Sequence, residues 1–370
     1  MGHDLLGLGQ CDLVFSAYCD GRELIEHGIG LSDGRPPVAV LRVITICPKP
    51  TPFYDQDHTT QFSLQALSCL HVPVPTPVPS TDSAACLFDR DLALTEAPYA
   101  NDPGGVVTRR FTGSFSERWY IDRSLHGGHV IAAMVKAAEA AIDDRGRSLR
   151  SLTNHYLLPA QAGPFHIDVS IERSGRSLTN VSARLIQEGR TVGLALAALG
   201  GPWPSYEWDH TTMPTVPDPE DCPDLWEQTD GITNLHRHWR YGVAIGPRIR
   251  SGKLFDDTRT ETISGGWVRL ADPRPVDASL AAALTDTWVP TPFAYIDDAH
   301  PVLFPTVDLT VQFLDPLPLP DDTGIDPCLV WHRTDTSRAG FVVQDTEVWT
   351  RAGRLIARGR QHALLIAATR

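Results

Sequence analysis

The sequence predicts an α+β fold in which antiparallel strands pack around buried helices, in a layout that occurs twice. Residues 125–142 are apolar on nearly every face, and this pattern predicts one buried helix of about four turns. Strand-like segments follow the helix to about residue 200, and a weaker copy of the arrangement occupies about residues 238–366. Wrapping each sheet around its helix is the simplest way to bury this apolar surface. We expect the two sheets to join edge to edge, which covers exposed strand edges.

Composition narrows the class of protein. The 370 residues are enough for two domains with sizeable cores. A formal net charge of −13 argues against general nucleic-acid binding, which requires a basic surface. Seven cysteines without a CxxC pair, and an N-terminus without a signal-peptide pattern, predict a cytoplasmic protein with free thiols. No apolar run is long enough to span a membrane.

The first 83 residues differ from the rest of the chain. They contain few alanines and end near the proline-rich run at residues 71–79. We predict that residues 1–83 are an N-terminal extension outside the repeated layout, loosely ordered or, alternatively, forming a small capping element. The repeated part is then expected to consist of an N-terminal unit, residues 84–201, and a C-terminal unit, residues 231–370.

Residues 202–230 between these units predict a linker, because six prolines fall between Pro202 and Pro223. The linker also contains three aromatic residues, Trp203, Tyr206 and Trp208. We expect this linker to pack against a domain surface, since aromatic side chains bury large apolar areas.

Strand signals flank both predicted helices. In the first unit, residues 87–97 have helix-like or irregular character, and the predicted strands are residues 106–115, 117–121, 153–158, 165–173, 178–187 and 191–199. In the second unit, Asp277 is expected to N-cap a helix over residues 278–287. The predicted strands of that unit are residues 238–245, 259–270, 306–314, 327–336, 340–350 and 355–367.

The two copies differ at one polar position. Gln361 stands eight residues beyond the hairpin glycine Gly353, whereas Ala197 stands eight residues beyond the corresponding Gly189. If both halves once carried equivalent sites, the amide persists only in the second. This comparison places the working site in the C-terminal unit.

Two glycines, Gly127 and Gly128, open the first buried helix. Their backbone N–H groups are free at a helix N-terminus, where they can polarise a substrate carbonyl or bind a phosphate. Alternatively, glycine here permits a tight strand-to-helix turn. The two interpretations are compatible, and the sequence does not separate them.

Histidines near this helix start are a second group of candidates. His126 and His129 could act as a general acid or base, although lone histidines near helix starts are more often structural. His236 and His238 have the spacing of a metal pair, but no carboxylate or cysteine partner is evident. We therefore predict no metal site. The absence of a Gly-x-Ser-x-Gly motif also argues against a serine hydrolase.

Asp286 is the most informative single residue. It follows the apolar run at residues 280–285, at the C-terminal end of a helix that should be buried. A helix dipole disfavours a negative charge at that end, and burying an unpaired carboxylate is costly. Asp286 is therefore predicted to have a functional task, the alternative being a frayed, solvated helix end.

Several motifs together resemble type II (TesB-like) acyl-CoA thioesterases. In the first half these are His126-Gly127-Gly128-His129-Val130, residues 154–159 and the turn at residues 173–177. In the second half, Thr306-Val307-Asp308 and residues 354–361 resemble two further motifs of that family, in the family's order. The sequence departs from the pattern at Leu309, where the family usually has His, and in a shorter loop between Asp286 and Thr306.

The resemblance implies a double hotdog fold and hydrolysis of acyl-CoA to a free acid and CoA, without metal or cofactor. It implies that Asp286, Thr306 and Gln361 hold the nucleophilic water, with Gly127 and Gly128 at the substrate. We expect the acyl chain to lie in an apolar channel between a helix and its sheet, and the CoA phosphates to lie near surface arginines. We also expect double-hotdog protomers to form homo-oligomers. Two alternatives stay open: an enoyl or 3-hydroxyacyl thioester hydratase-dehydratase with its base at His126 or His129, and a non-catalytic acyl-CoA binding protein.

Overall fold

The chain divides into two compact units, Met1–Pro77 and Val78–Arg370. The computed structural model describes residues 15–19, 22–26, 86–99, 107–121, 123–142, 144, 146–225, 235–246, 248–250, 253–255, 263–292 and 302–367. In the first unit, strands β1 (Phe15–Cys19) and β2 (Arg22–Glu26) form an antiparallel hairpin. The prediction that residues 1–83 form a loosely ordered extension or a small capping element otherwise concerns residues outside the described ones.

The second unit is built on one 12-stranded antiparallel sheet with few helices. Six strands come from its N-terminal half: β3 (Thr95–Ala97), β4 (Val107–Phe115), β7 (Ser148–Tyr156), β8 (Gly163–Ser174), β9 (Leu178–Gln187) and β10 (Arg190–Gly200). Six come from its C-terminal half: β11 (Trp239–Ile245), β14 (Ile263–Leu270), β16 (Thr306–Phe313), β17 (Cys328–Arg338), β18 (Phe341–Trp349) and β19 (Leu355–Leu364). Short two-stranded pairs lie outside this sheet: β5 (Tyr120–Ile121) with β6 (Ser124–Leu125), β12 (Arg248–Arg250) with β13 (Lys253–Phe255), and β15 (Val302–Leu303) with β20 (Ile366–Ala367).

The two halves are joined in the middle of the sheet. Its strand order is β11-β14-β17-β18-β19-β16-β7-β10-β9-β8-β4-β3, so β16 of one half pairs with β7 of the other. Asp308 stands opposite His155 and Gln312 opposite Ser151 in that antiparallel pair. The predicted edge-to-edge joining is therefore present. The two predicted sheets thereby form one continuous sheet.

The helices are α1 (Leu87–Asp91), α2 (Gly127–Ala141) and α3 (Ala278–Leu284). The boundaries of α2 agree within two residues with the prediction, and most of its side chains are buried. Asp277 N-caps α3 as predicted, its carboxylate accepting from Leu280 N at 2.8 Å. The helix ends at Leu284, three residues earlier than predicted. Within the described part of the chain, no helix combines the length and apolarity needed to cross a membrane.

One predicted strand is wrong. Residues 117–121 form a 3-10 turn, Glu117–Trp119, followed by the two-residue strand β5. Ser116 caps this turn by accepting from Arg118 N. The Trp119 side chain is buried, and its indole N–H donates to Asp91 at 3.0 Å. Tertiary packing of one large aromatic residue thus overrides the local strand propensity.

The linker packs on the sheet, but its aromatic residues do not. Trp203, Tyr206 and Trp208 are all exposed, which contradicts the prediction that they attach the linker. The attachment comes from Met213, Val216 and Cys222, which pack on a small core cluster that contains Trp267. The Trp267 indole also donates to the Pro217 carbonyl at 2.8 Å. Smaller apolar residues and one backbone acceptor therefore hold this segment.

Helices α2 and α3 run antiparallel, and a charged cluster joins the halves at one end of the pair. Arg274 lies 3.2 Å from Asp89 and bonds Asp277, while Lys136 lies 2.8 Å from Asp89. Glu139 of α2 faces this cluster. Burial and the neighbouring Asp277 raise the pKa of Glu139 to about 7, with Lys136 opposing them.

We expect Glu139→Gln to stabilise the protein at pH 8 and to leave it unchanged near pH 4.5. The pKa of Glu139 is raised from 4.5 to about 7 in the folded state, so folding binds a proton between these values and stability falls as pH rises through them. At about 1.4 kcal/mol per pKa unit, the upper limit on this stabilisation is about 3.5 kcal/mol. Urea unfolding at both pH values measures it, with exposed Glu207→Gln as control. Identical pH dependence in the wild type and Glu139→Gln would contradict the assignment.

Candidate active site

A cavity of about 590 Å³ lies where the N-terminus of α2 meets the C-terminal end of α3. Its wall is mostly apolar, formed by Ile121, Leu125, Val130, Leu157, Leu158, Trp288, Val289, Phe304 and Leu364. The polar side chains that reach it include His126, Tyr156, Asp286, Thr306 and Gln361. The first two come from the N-terminal half and the other three from the C-terminal half. The site that the sequence placed in the C-terminal unit is therefore composed from both halves.

Asp286 stands two residues beyond the end of α3 with its side chain only 11% exposed. Its Oδ1 accepts from Gln361 Nε2 at 2.9 Å. Burial raises the pKa of the Asp286 carboxyl, and His126, the Gly128 backbone N–H and the Gln361 amide oppose that rise. The helix end is not frayed, because Asp286 N donates to Ala283 O at 3.1 Å. The carboxylate is thus held in a cavity of low polarity.

Thr306 reaches the cavity because β16 is irregular at its first residues. Its pairing with β19 shifts register between Thr306 and Asp308, which is typical of a β-bulge. As a result Thr306 and Val307 both line the cavity, while Asp308 lines a separate polar depression. A bulge that re-aims a side chain is common beside active sites.

The orientation of Gln361 follows from a chain of buried amides. The Thr291 backbone N–H can only donate, and it lies 3.2 Å from Gln344 Oε1. Gln344 Nε2 therefore donates to Gln361 Oε1, at 3.1 Å. This leaves Gln361 Nε2 to donate to both Asp286 Oδ1 and Thr306 Oγ1. The structure thus brings the three predicted residues together, with Gln361 linking the other two.

Gln344 is a site residue that the sequence reasoning missed. It lies on β18, whose buried positions alternate as Val342, Gln344, Thr346 and Val348. A glutamine at an inward position of such a strand costs free energy unless it is hydrogen-bonded. A glutamine among the inward-facing residues of β18 was therefore the feature of the sequence that could have identified it.

The two glycines have a structural reason beyond the turn itself. A Cβ at Gly127 would stand 2.6 Å from Asp286 Oδ2, and one at Gly128 would stand 2.8 Å from Ala283 O. Only glycine allows the start of α2 to approach the end of α3 this closely. The close approach supports the structural interpretation, and it lets the Gly128 N–H reach the Asp286 carboxylate. A contact between these N–H groups and a substrate stays a prediction.

The two candidate histidines have different environments. His126 lines the cavity, with Nε2 at 2.7 Å from the Asp286 backbone oxygen and 3.6 Å from Asp286 Oδ2. His129 is 1% exposed and stacks on Trp119 with ring centroids 4.5 Å apart. Burial lowers the pKa of His129 well below its usual value. His129 does not line the cavity, so it is not placed to act on a bound substrate.

The histidine pair at residues 236 and 238 gives no support for a metal centre. His238 packs at an angle against Trp119, and the side chain of His236 lies outside the described residues. Among the residues whose placement the structure describes, no group of three His, Cys, Asp or Glu side chains could hold a metal ion.

The departure at Leu309 has a local compensation. Leu309 is fully buried in the core. Across the neighbouring strand, His362 Nδ1 lies 3.7 Å from Asp308 Oδ2. An imidazole therefore still stands beside Asp308, supplied by β19. This pair lines the polar depression, away from the cavity that contains Asp286.

Comparison with known proteins agrees with the fold and the motifs. Residues 115–200 match the family profile described as the acyl-CoA thioesterase N-terminal domain, and residues 219–365 match the acyl-CoA thioesterase C-terminal domain. A curated protein of Haemophilus influenzae named acyl-CoA thioesterase 2 is 22% identical over 271 residues, 66% of this chain and 88% of that protein.

Two further relatives are closer in sequence. An uncharacterized Mycobacterium tuberculosis protein is 32% identical over 120 residues, which are 31% of this chain and span only 40% of that relative's length. A solved protein of unknown function with a hot dog fold, from Alicyclobacillus acidocaldarius, is 27% identical with a TM-score of 0.65 and covers 77% of this chain and 100% of its own. The two halves of the continuous sheet therefore follow a known architecture.

Proposed function

This chain belongs to the acyl-CoA thioesterase family, and from that premise we propose that it hydrolyses an acyl-CoA to a free carboxylic acid and CoA. The observation that carries the proposal is the hydrogen-bonded group of Asp286, Gln361 and Thr306 in a cavity facing the start of α2. Burial raises the pKa of the Asp286 carboxylate and so makes it a stronger base than an ordinary aspartate, which suits it to accept a proton from water.

In the proposed reaction, water bound between Asp286 and Thr306 attacks the thioester carbonyl carbon. Asp286 accepts the proton of that water, and the carbon–sulfur bond then breaks. The proton passes to the departing sulfur, which leaves as the CoA thiol. Gln361 donates its amide hydrogens to Asp286 and Thr306. We therefore assign Gln361 to orienting these two residues, in place of the direct hold on the water that the resemblance implied.

The carbonyl oxygen requires a donor as negative charge develops on it. The first helical position of α2 is Gly127, whose backbone N–H points out of the helix at the positive end of its dipole. The Gly128 N–H is already engaged by the Asp286 carboxylate. We therefore assign oxyanion stabilisation to Gly127 and positioning of the base to Gly128.

The acyl group fits the apolar wall of the cavity. A volume of about 590 Å³ lies within the range of roughly 300–1,000 Å³ common for small-molecule sites. Apolar side chains reach it from α2, from the end of β7 and from the segment after α3. A hydrocarbon chain entering here removes apolar surface from water at each methylene, which favours fatty acyl over short polar acyl groups.

The direct test measures CoA release from acyl-CoA substrates of increasing chain length with a thiol-reactive dye. We expect thiol release that depends on the enzyme and increases with chain length until the cavity is filled. Binding without release for every substrate would instead indicate a non-catalytic acyl-CoA binding protein. Free fatty acid should appear in equal amount, as mass spectrometry can verify.

A hydratase-dehydratase stays the second candidate because His126 lies 3.6 Å from the Asp286 carboxylate, with one group from each half. That pair could serve as acid and base on an enoyl thioester. Loss of enoyl absorbance without thiol release would identify this reaction. His129, the other histidine considered as the base of such an enzyme, is buried and does not line the cavity.

Arg123 is the described basic residue placed next to the cavity in sequence, between the lining residues Ile121 and Ser124. It is exposed, as a contact for a CoA phosphate should be. We expect Arg123→Ala to raise KM for acyl-CoA roughly fivefold, the effect of about 1 kcal/mol from an exposed charge-assisted contact. The KM for an acyl-pantetheine thioester, which lacks the nucleotide, should not change.

Arg184, exposed on β9 away from the cavity, provides the matched control variant. Equal increases in KM for both substrates in Arg123→Ala would show that Arg123 does not contact the nucleotide part of CoA.

We also propose a homo-oligomer of these protomers in the cytoplasm. The continuous sheet ends at β3 and β11. The linker already bridges the outer edge of β11 through the Asp224–Gly242 pair, and Val243 N donates to Pro223 O at 2.8 Å. Among the described strands none pairs with the outer edge of β3, so that edge is the candidate for a further strand. Size-exclusion chromatography with light scattering measures the mass in solution, and a strictly monomeric protein would refute the oligomer.

A further inference from the structure

His126 precedes α2 at the N-cap position, yet its imidazole does not cap its own helix. Residues at this position usually offer a side-chain oxygen to the first N–H groups of the helix. The His126 ring crosses to the other half of the protein, where Nε2 lies 2.7 Å from the backbone oxygen of Asp286. The ring is 7% exposed, so water contributes little to this contact.

The contact fixes the protonation of one ring nitrogen. A carbonyl oxygen can only accept a hydrogen bond, so Nε2 must carry hydrogen. This carbonyl follows the end of α3, where backbone oxygens lack partners within the helix and favour a cationic or donating group. The same Nε2 lies 3.6 Å from Asp286 Oδ2. The imidazole therefore lies close to both the backbone oxygen and the carboxylate of Asp286.

We propose that His126 is a positioning residue that fixes Asp286 for catalysis, so that the N-terminal half controls the base supplied by the C-terminal half. The inference rests on the proposed function, in which Asp286 accepts the proton of water. His126 itself cannot accept that proton at Nε2, because Nε2 donates to the Asp286 carbonyl. This distinguishes positioning from general-base catalysis by His126.

The charges around the carboxylate come from few elements. His126 faces it from the start of α2, Gln361 is a neutral donor on β19, and the Tyr156 hydroxyl on β7 donates to Gly127 O at 2.9 Å. His129 lies behind His126 in the core. Burial raises the pKa of Asp286, and the imidazole is the largest influence opposing it. Removing the imidazole should therefore displace the acid limb of activity to higher pH.

The experiment compares kcat and its pH profile in wild type, His126→Ala and His126→Gln. We expect His126→Ala to lower kcat about 10²-fold, the effect of displacing a reacting group by about 1 Å. Gln can still donate to the Asp286 carbonyl without carrying charge, so it should restore most of kcat while the acid limb stays at higher pH. His155→Ala, on the exposed side of β7, should match wild type.

Two results would overturn the inference. One is a wild-type rate and pH profile in His126→Ala. The other is an inactive His126→Ala beside an active Asp286→Ala, which would make His126 the base. Histidine-selective ¹⁵N NMR tests the geometry without activity: the resonance that His126→Gln removes should show a protonated Nε2. An unprotonated Nε2 overturns the inference, whereas a wild type that hydrolyses no acyl-CoA overturns only the proposed function.

Discussion

Asp286→Ala should lower kcat for acyl-CoA hydrolysis about 10²–10⁴-fold, which is what a positioned general base contributes. Acyl-CoA binding should persist, because the wall that holds the acyl chain is formed by other residues. Stopped-flow thiol release measures kcat, and isothermal titration measures binding to the inactive variant. A folded Asp286→Ala that releases CoA at the wild-type rate would exclude Asp286 as the base and direct attention to His126.

Three further variants separate the possible causes of that loss. Asp286→Asn keeps the shape of the side chain and should be almost as impaired, since the missing property is basicity. Gln361→Ala should cost less, because it removes only the group that orients Asp286 and Thr306. Asp345→Ala removes an exposed carboxylate paired with Arg360, and it should leave kcat unchanged.

The pH dependence of kcat provides a second test of Asp286 as the general base. Burial raises the pKa of Asp286 above the usual aspartate value. A base is active when deprotonated, so kcat should decline as pH falls through a midpoint higher than that of an ordinary aspartate. An acid limb at or below the ordinary aspartate value would indicate that another group controls the reaction.

Local sequence patterns predicted the elements that carry the site. Helix α2 was recognisable because its apolar residues occupy nearly every face, which only a buried helix requires. Asp286 was recognisable because a carboxylate at the end of an apolar helix costs free energy without a compensating role. The motifs around Gly127, Thr306 and Gln361 indicated the family, and the comparisons confirm it.

Properties that depend on contacts between distant residues were not predictable in the same way. The pairing of β16 with β7 joins segments about 150 residues apart, and no local period encodes it. The contacts of Gln344 and His126 form only when β18, β19 and the two helices are assembled. The sequence identified candidate functional residues, whereas their contacts depend on the tertiary structure.

The two ends of the helix pair differ in a way that fits the proposal of a single site per chain. At one end the start of α2 meets the end of α3, and the glycines leave room for a carboxylate. At the other end Arg274 links Asp89 to Asp277, with Glu139 nearby. Paired charges occupy the second end, whereas the first presents a carboxylate and a helix N-terminus to a cavity. The absence of an amide at Ala197 is consistent with this division.

Gly127→Ala should therefore lower kcat about 10²-fold while the protein stays folded. The added methyl group would stand 2.6 Å from Asp286 Oδ2, so the carboxylate must move from Thr306 and from the proposed water. Alanine is about 1 kcal/mol better than glycine in a helix, so α2 itself should tolerate the change. Circular dichroism and thermal melting verify folding, and thiol release measures kcat.

Alanine substitutions at two other glycines serve as comparisons for Gly127→Ala. Gly128→Ala places its methyl group 2.8 Å from the Ala283 backbone oxygen, so it should separate the helices and lower stability as well as activity. In the β8–β9 turn, a Cβ at Gly175 would stand 3.5 Å from Leu178 O, an ordinary contact, and Gly175→Ala should behave as wild type. If Gly127→Ala retained full activity, the start of α2 could not lie against the base, and neither oxyanion stabilisation by Gly127 nor positioning by Gly128 would stand.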